Sequence, residues 1–261
     1  YEIGFGLVGS EMCIRDRWGE WFNAGGWLNG MLPSIPAVGN HEYGSDESGT
    51  RHLSTHWRPQ FTLPMHGPEG LEETAYYVDY QGVRIVVLNT NEQLEKQVAW
   101  LDGVLADNPQ HWTVLTFHHP IFSAAAGRDN ADLRALWMPI IDRYEVDLVL
   151  QGHDHTYGRT RNVRSGLSVR DDDSGTVYVV SVSGPKMYES AVHTLMRRVA
   201  EDTQLYQIIE VDGDELVYRA YTATGELYDA FNLTKAEDGV NKLREKMPRN
   251  ARERRRQKAA H

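Results

Sequence analysis

Asp147-Leu148-Val149-Leu150-Gln151-Gly152-His153-Asp154-His155 joins a short apolar run to two histidines placed just beyond a glycine. Four of the five residues from Val146 to Leu150 are apolar, which suits a strand buried on both faces. Gly152 turns the chain and lets its backbone pass close to whatever the histidines hold. Two residues apart in an extended segment, the imidazoles of His153 and His155 leave the backbone on the same side, a geometry suited to a metal ion. One such pair also occurs in ordinary loops, so its weight depends on what the rest of the chain supplies.

Two more histidine signals follow apolar runs. Trp112-Thr113-Val114-Leu115-Thr116-Phe117 reads as a strand closing on His118-His119-Pro120, and Ser34-Ile35-Pro36-Ala37-Val38 reads as a short strand leading into Gly39-Asn40-His41-Glu42. Ala75–Tyr80 and Val83–Asn89 form a hairpin across Gln81-Gly82. Leu94, Val98, Leu101 and Leu105 mark one face of a helix, as do Leu133, Leu136, Trp137, Ile140, Ile141 and Tyr144. Residues 18–32 suggest a further helix, interrupted at Gly25-Gly26, whereas Gly44 to Gly70 reads as a long loop. Val177 to Ser183 is an apolar strand, and Asp212-Gly213-Asp214-Glu215 links Leu205–Val211 to Leu216–Tyr221 as a second hairpin. The alternation of strands with helices is α/β in character.

Composition narrows the function. The formal charge is -10, and residues 239–261 concentrate nine Lys/Arg against Glu245 and Glu253, so the remaining body is strongly acidic. That balance disfavours nucleic acid as the main ligand. The single cysteine, Cys13, leaves no intrachain disulfide and no multi-thiolate metal site. No apolar run reaches the ~20 residues of a membrane helix. Neutral imidazoles with an amide oxygen suit ions such as Zn, Mn or Fe(II).

Gly39-Asn40-His41-Glu42, Phe117-His118-His119-Pro120 and Gly152-His153-Asp154-His155-Thr156-Tyr157 resemble three motifs of the calcineurin-like metallophosphoesterases, within them the purple acid phosphatase branch. The resemblance implies a four-layer α/β/β/α sandwich carrying two metal ions (Fe, Zn or Mn). It also implies hydrolysis of phosphate monoesters, and a secreted or periplasmic location. It assigns Asn40, His118 and His153 to one metal, His155 to the other, and His41 to the substrate phosphate or to protonation of the leaving group. His119 falls at a variable position and is not assigned as a ligand. Asp154 is read either as orienting a ligand histidine or as an exposed loop carboxylate.

The same family pattern requires an Asp-x-His and a Gly-Asp before Gly39, and neither is present. Residues 1–17 read like translated sequencing-adapter text. The expected organisation is therefore a non-native segment at 1–17, the C-terminal part of a metallophosphoesterase domain, lacking its first strands, at 18–234, and a basic polar tail at 235–261. Two readings follow: a phosphoesterase in the intact parent, or a catalytically defective metal- or phosphate-binding fragment.

Overall fold

The computed structural model describes residues 11–46, 48–190, 194–236 and 239–255, the first seven by their backbone. Helix α1 (Glu11–Gly25) runs into a 3-10 turn, Gly26–Gly30. A second 3-10 turn, Asn40–Glu42, precedes the small hairpin of β1 (Tyr43–Ser45) and β2 (Arg51–Leu53), after which comes α2 (Trp57–Gln60). The sheet-forming part continues with β3 (Tyr76–Tyr80), β4 (Val83–Val87), α3 (Lys96–Ala106), β5 (Trp112–Phe117), α4 (Ala131–Arg143) and β6 (Leu148–Gln151). Then come β7 (Tyr157–Arg164), β8 (Leu167–Ser168), β9 (Thr176–Val180) and β10 (Met196–Ala200). The last four strands are β11 (Leu205–Asp212), β12 (Glu215–Thr222), β13 (Leu227–Lys235) and β14 (Asn241–Glu245).

Eight strands form one mixed sheet in the order β10-β7-β9-β6-β5-β4-β3, with β8 attached to β7. Its centre, β4-β5-β6-β9, is parallel, so the carboxyl ends of these four strands lie at one edge. The β3–β4 turn has positive φ at both Gln81 (45°) and Gly82 (83°), which matches the strand twist of a two-residue hairpin. Strands β11 to β14 form a second, antiparallel sheet.

Alternation along the central strands explains why both faces of the large sheet are apolar. Leu115, Phe117, Val149 and Tyr178 join Leu101, Leu105, Trp137, Ile140 and Ile141 in a core beneath α3 and α4. The neighbouring residues Trp112, Val114, Leu148, Val177 and Val179 point the other way and pack with Leu216, Tyr218, Phe231, Leu233 and Leu243 of the second sheet. Helices, mixed sheet and second sheet are thus the layers of an α/β sandwich.

Two local expectations need correction, and one boundary falls inside an element. Residues 34–38 carry no strand assignment; side chains hold them instead, Tyr76 Oη donating to Pro36 O at 2.7 Å and Asn91 Nδ2 to Val38 O at 3.1 Å. Helix α1, described from Glu11, spans the boundary drawn at residue 17, while residues 1–10 of that segment lie outside the described residues. The segment read as a basic tail forms β14 and then returns to the large sheet, with Glu201 N donating to Arg254 O at 2.7 Å. Only Asn241 and Leu243 of β14 are buried, too few apolar positions to stand out among the basic residues.

Candidate metal centre

Strand ends deliver the site. Residues 89–92 follow β4, His118 and His119 follow β5, Gly152 to His155 follow β6, and residues 181–188 follow β9. Ligands of α/β sheets gather at this carboxyl edge, where the sheet fixes position and the loops expose polar atoms. The 3-10 turn at Asn40 faces the same edge: Asn40 Oδ1 lies 2.6 Å from His118 Nε2 and 3.1 Å from His153 Nδ1, and the two ring nitrogens are 3.0 Å apart.

Those three atoms form a triangle of the size a metal needs. With bonds of about 2.0–2.1 Å, two ligands at right angles on one ion are about 3 Å apart. Without an ion the same edges are filled by one imidazole N–H donating to the Asn40 amide oxygen beside the other ring's nitrogen; with the ring protons on the opposite nitrogens, the three atoms present converging lone pairs. Both rings are held neutral. Burial, then the neighbouring charges of His119 and His153, lowers His118 to about 3, and burial followed by Arg128 lowers His153 to about 4. Their nitrogens therefore offer lone pairs at any moderate pH.

The backbone is shaped to this convergence. His153 has φ +66°, and Asp154 N donates to Gly152 O at 2.7 Å, a tight γ-turn that non-glycine residues adopt rarely. This turn replaces the extended geometry expected for His153-x-His155, so the two imidazoles do not share one point. His155 instead sets its Nδ1 against the Lys186 carbonyl at 2.9 Å and packs against Tyr188, the rings tilted by 32° with centroids 4.6 Å apart. Donation of the Nδ1 proton to that carbonyl directs the Nε2 lone pair elsewhere, the arrangement usual for a metal-binding histidine. Gly39 is required by proximity: an added Cβ would lie 2.8 Å from Glu42 Oε2 and 3.0 Å from His118 Nδ1.

His41 is exposed beside Asn40, and its charge acts on both His118 and His153. His119, not expected as a ligand, sits close: among the described residues His118, His119 and His153 can bring three ligand atoms within 4.8 Å of one another. Its Nδ1 is 2.8 Å from Thr90 Oγ1, and burial lowers it to about 4. Asp154 takes neither expected part. It is buried, accepts the Ser123 hydroxyl and lies 3.5 Å from Arg128. Glu42 accepts Gly39 N–H at 2.7 Å, and burial raises its carboxyl. Thr90 and Asn91 were not foreseen, although Asn89-Thr90-Asn91-Glu92 is a polar run after an apolar strand, the same signal that marks His118 and His153.

Comparison with known proteins places the chain in a family. The calcineurin-like phosphoesterase family model matches residues 11–157. An uncharacterized protein of Mycobacterium tuberculosis is 29% identical over 192 residues, covering 62% of this chain and 36% of that protein. Purple acid phosphatase 23 of Arabidopsis thaliana is 26% identical over 178 residues, covering 65% and 38%. The structure of purple acid phosphatase PPD1 from yellow lupin, Lupinus luteus, superposes with a TM-score of 0.67 at 21% identity, covering 80% of this chain and 42% of that one. The chain thus spans little more than a third of the length of these curated relatives. Among the described residues no helix is long and apolar enough to cross a membrane. By the family match over more than half its length, and with purple acid phosphatases among its relatives, the chain belongs to the calcineurin-like phosphoesterases.

Proposed function

We propose that the protein of which this chain is part hydrolyses phosphate monoesters at a dinuclear metal centre, one ion held by Asn40, His118 and His153 and the other by His155. The triangle of Asn40 Oδ1, His118 Nε2 and His153 Nδ1 carries this reading, because three atoms able to present lone pairs converge with edges of 2.6–3.1 Å, the size of a ligand face. When bound, such ions supply charge to clamp phosphate oxygens and acidify water. The chain's own residues do the rest. His41, exposed at the mouth and next to a ligand, is placed to protonate the leaving oxygen. Thr90 fixes His119 against His153, their ring centroids 4.2 Å apart, and so limits how far the His153 imidazole can swing. Ions of Fe, Zn or Mn fit the nitrogen-rich set. Export from the cell is part of the same reading, on the likeness to secreted phosphatases.

The ligand chemistry favours a narrower behaviour for the chain as it stands. Its clustered ligands are neutral, and two dications about 4 Å apart need negative charge between them. It should therefore hold a single ion weakly and turn over slowly, as the fragment alternative holds. Metal analysis with hydrolysis of an aryl phosphate tests both statements. One equivalent of metal, abolished by His118→Ala, supports the site; metal retained in that variant refutes it.

A further inference from the structure

Thr90 and His119 make a contact that the phosphoesterase reading uses only as a prop. Thr90 Oγ1 accepts the His119 backbone N–H at 3.0 Å and lies 2.8 Å from His119 Nδ1, so one hydroxyl fixes both the backbone and the ring. The half-buried ring stands edge-on to His118, with centroids 4.9 Å apart, and tilted over His153 at 4.2 Å. A polar partner that takes the proton of one imidazole nitrogen leaves the other nitrogen a lone pair, the arrangement usual for metal-binding histidines. Packing does not demand this chemistry. A phenyl ring would fill the space beside His153 without setting a polar nitrogen against the Thr90 hydroxyl.

Distances bring His119 within range of the same ion. One ligand atom each from His118, His119 and His153 lies within 4.8 Å of the other two. Ligands of a four-coordinate ion with bonds of about 2.0–2.1 Å stand about 3.3 Å apart, so His119 has at most about 1.5 Å to travel, the work of a small side-chain rotation. Asn40 Oδ1 already lies 2.6 Å from His118 Nε2 and 3.1 Å from His153 Nδ1. Three imidazoles and one amide oxygen thus approach one point from the Asn40 turn, the end of β5 and the end of β6. With no carboxylate among them, the four hold an ion through nitrogen donors, which favours Zn²⁺ or Co²⁺ over Mn²⁺.

We propose that His119 is a fourth ligand of the ion held by Asn40, His118 and His153, so that this chain closes a mononuclear site of three nitrogens and one oxygen around a borderline divalent cation such as Zn²⁺. This rests on the reading of those three residues as ligands and extends it by one that the family resemblance leaves unassigned. Four protein ligands on a tetrahedral ion leave no position for water or an anion, whereas three leave one. His119 therefore decides whether the bound ion is shut in or open. Thr90 acts through His119: by accepting the Nδ1 proton it directs the Nε2 lone pair to the ion.

The test is titration of the metal-free chain with Co²⁺, whose visible spectrum reports both affinity and ligand changes, with azide as the probe for an open position. His119→Ala should bind Co²⁺ about tenfold or more weakly, since even partners of a ligand are worth about that much. Azide should shift the spectrum of this variant and leave that of the unaltered chain alone. His111→Ala, at the other end of β5 and 3.0 Å from Asp214, should match the unaltered chain in both respects. Unaltered affinity in His119→Ala with binding abolished in His118→Ala, or an azide shift in the unaltered chain, overturns the fourth ligand and leaves the reading of the other three standing. Binding that survives in His118→Ala overturns both. Should His119→Ala fail to fold, X-ray absorption of the unaltered chain loaded with Zn²⁺ decides: three imidazoles on the ion support the proposal, and two overturn it.

Discussion

Replacing Gly39 by Ala adds one methyl where the Asn40 turn meets His118. The new Cβ would lie 2.8 Å from Glu42 Oε2 and 3.0 Å from His118 Cε1 and Nδ1. Comfortable contacts are about 3.5–4.0 Å, so the overlap is roughly 0.5–1 Å. The backbone raises no objection, since φ -98° and ψ 175° are open to any residue. A Gly→Ala change even favours folding by about 0.4–1 kcal/mol through the unfolded chain. Overpacking of about 1–3 kcal/mol outweighs that gain. Neither neighbour yields easily, because Glu42 accepts the Gly39 N–H and His118 is held 2.6 Å from Asn40. Any retreat of His118 opens the ligand triangle. We therefore expect Gly39→Ala to weaken Zn²⁺ or Mn²⁺ binding about 10- to 100-fold, about 1.4–2.8 kcal/mol, while metal-free stability falls by no more than about 2 kcal/mol. Chelator competition measures the first and urea unfolding the second. Gly103→Ala, in α3 with open space around it, should stabilise by about 0.5–1 kcal/mol and leave metal binding alone. Wild-type metal affinity in Gly39→Ala would refute the packing argument.

Other consequences follow from the same contacts. In the active parent, His41→Ala should lower kcat on an aryl phosphate about 10²–10⁴-fold with metal content unchanged; loss of the metal would reassign His41 as a ligand. Asp229 accepts Arg159 Nε and Nη2, each at 2.8 Å, with both side chains fully buried, so Asp229→Ala should cost about 3–5 kcal/mol in urea unfolding; a loss below about 1 kcal/mol would mean that Glu245 alone satisfies Arg159. For pH, burial holds His118 at about 3 and His119 and His153 at about 4, below the ordinary 6.5. The unfolded chain then binds more protons between these values, so stability from these groups is complete above about pH 6.5 and is lost as pH falls toward 3–4. Unfolding midpoints of the metal-free chain from pH 7 to 4 should decline. A His118→Gln/His119→Gln/His153→Gln variant should decline less, and an identical slope in the two proteins would contradict the assignment.

His118 and His153 were legible as candidates because they follow apolar strands. Trp112–Phe117 is the strand the hydrophobic run indicates, and the β3–β4 turn follows from Gln81-Gly82. His118 and His153 follow strands, whereas Asn40 opens a 3-10 turn after a segment that forms no strand, and the fold brings the three together. What stayed hidden depends on contacts that periodicity does not carry. The γ-turn at His153 separates its ring from that of His155, whereas spacing alone placed them side by side. Residues 34–38 look like a strand by composition, yet pairing decides strands, and side chains hold this segment instead. Strand β14 escaped notice because only two of its five residues are buried. Lys186 and Tyr188 gained meaning only when β9 proved parallel to β6, which set their loop beside His155.

The central claim is that Asn40, His118 and His153 are ligands of one ion, and anomalous diffraction from crystals of this chain soaked in Zn²⁺ or Mn²⁺ tests it most directly. A peak about 2.0–2.2 Å from Asn40 Oδ1, His118 Nε2 and His153 Nδ1 is the predicted result. A peak elsewhere, or none while the three atoms keep their spacing of 2.6–3.1 Å, would contradict it.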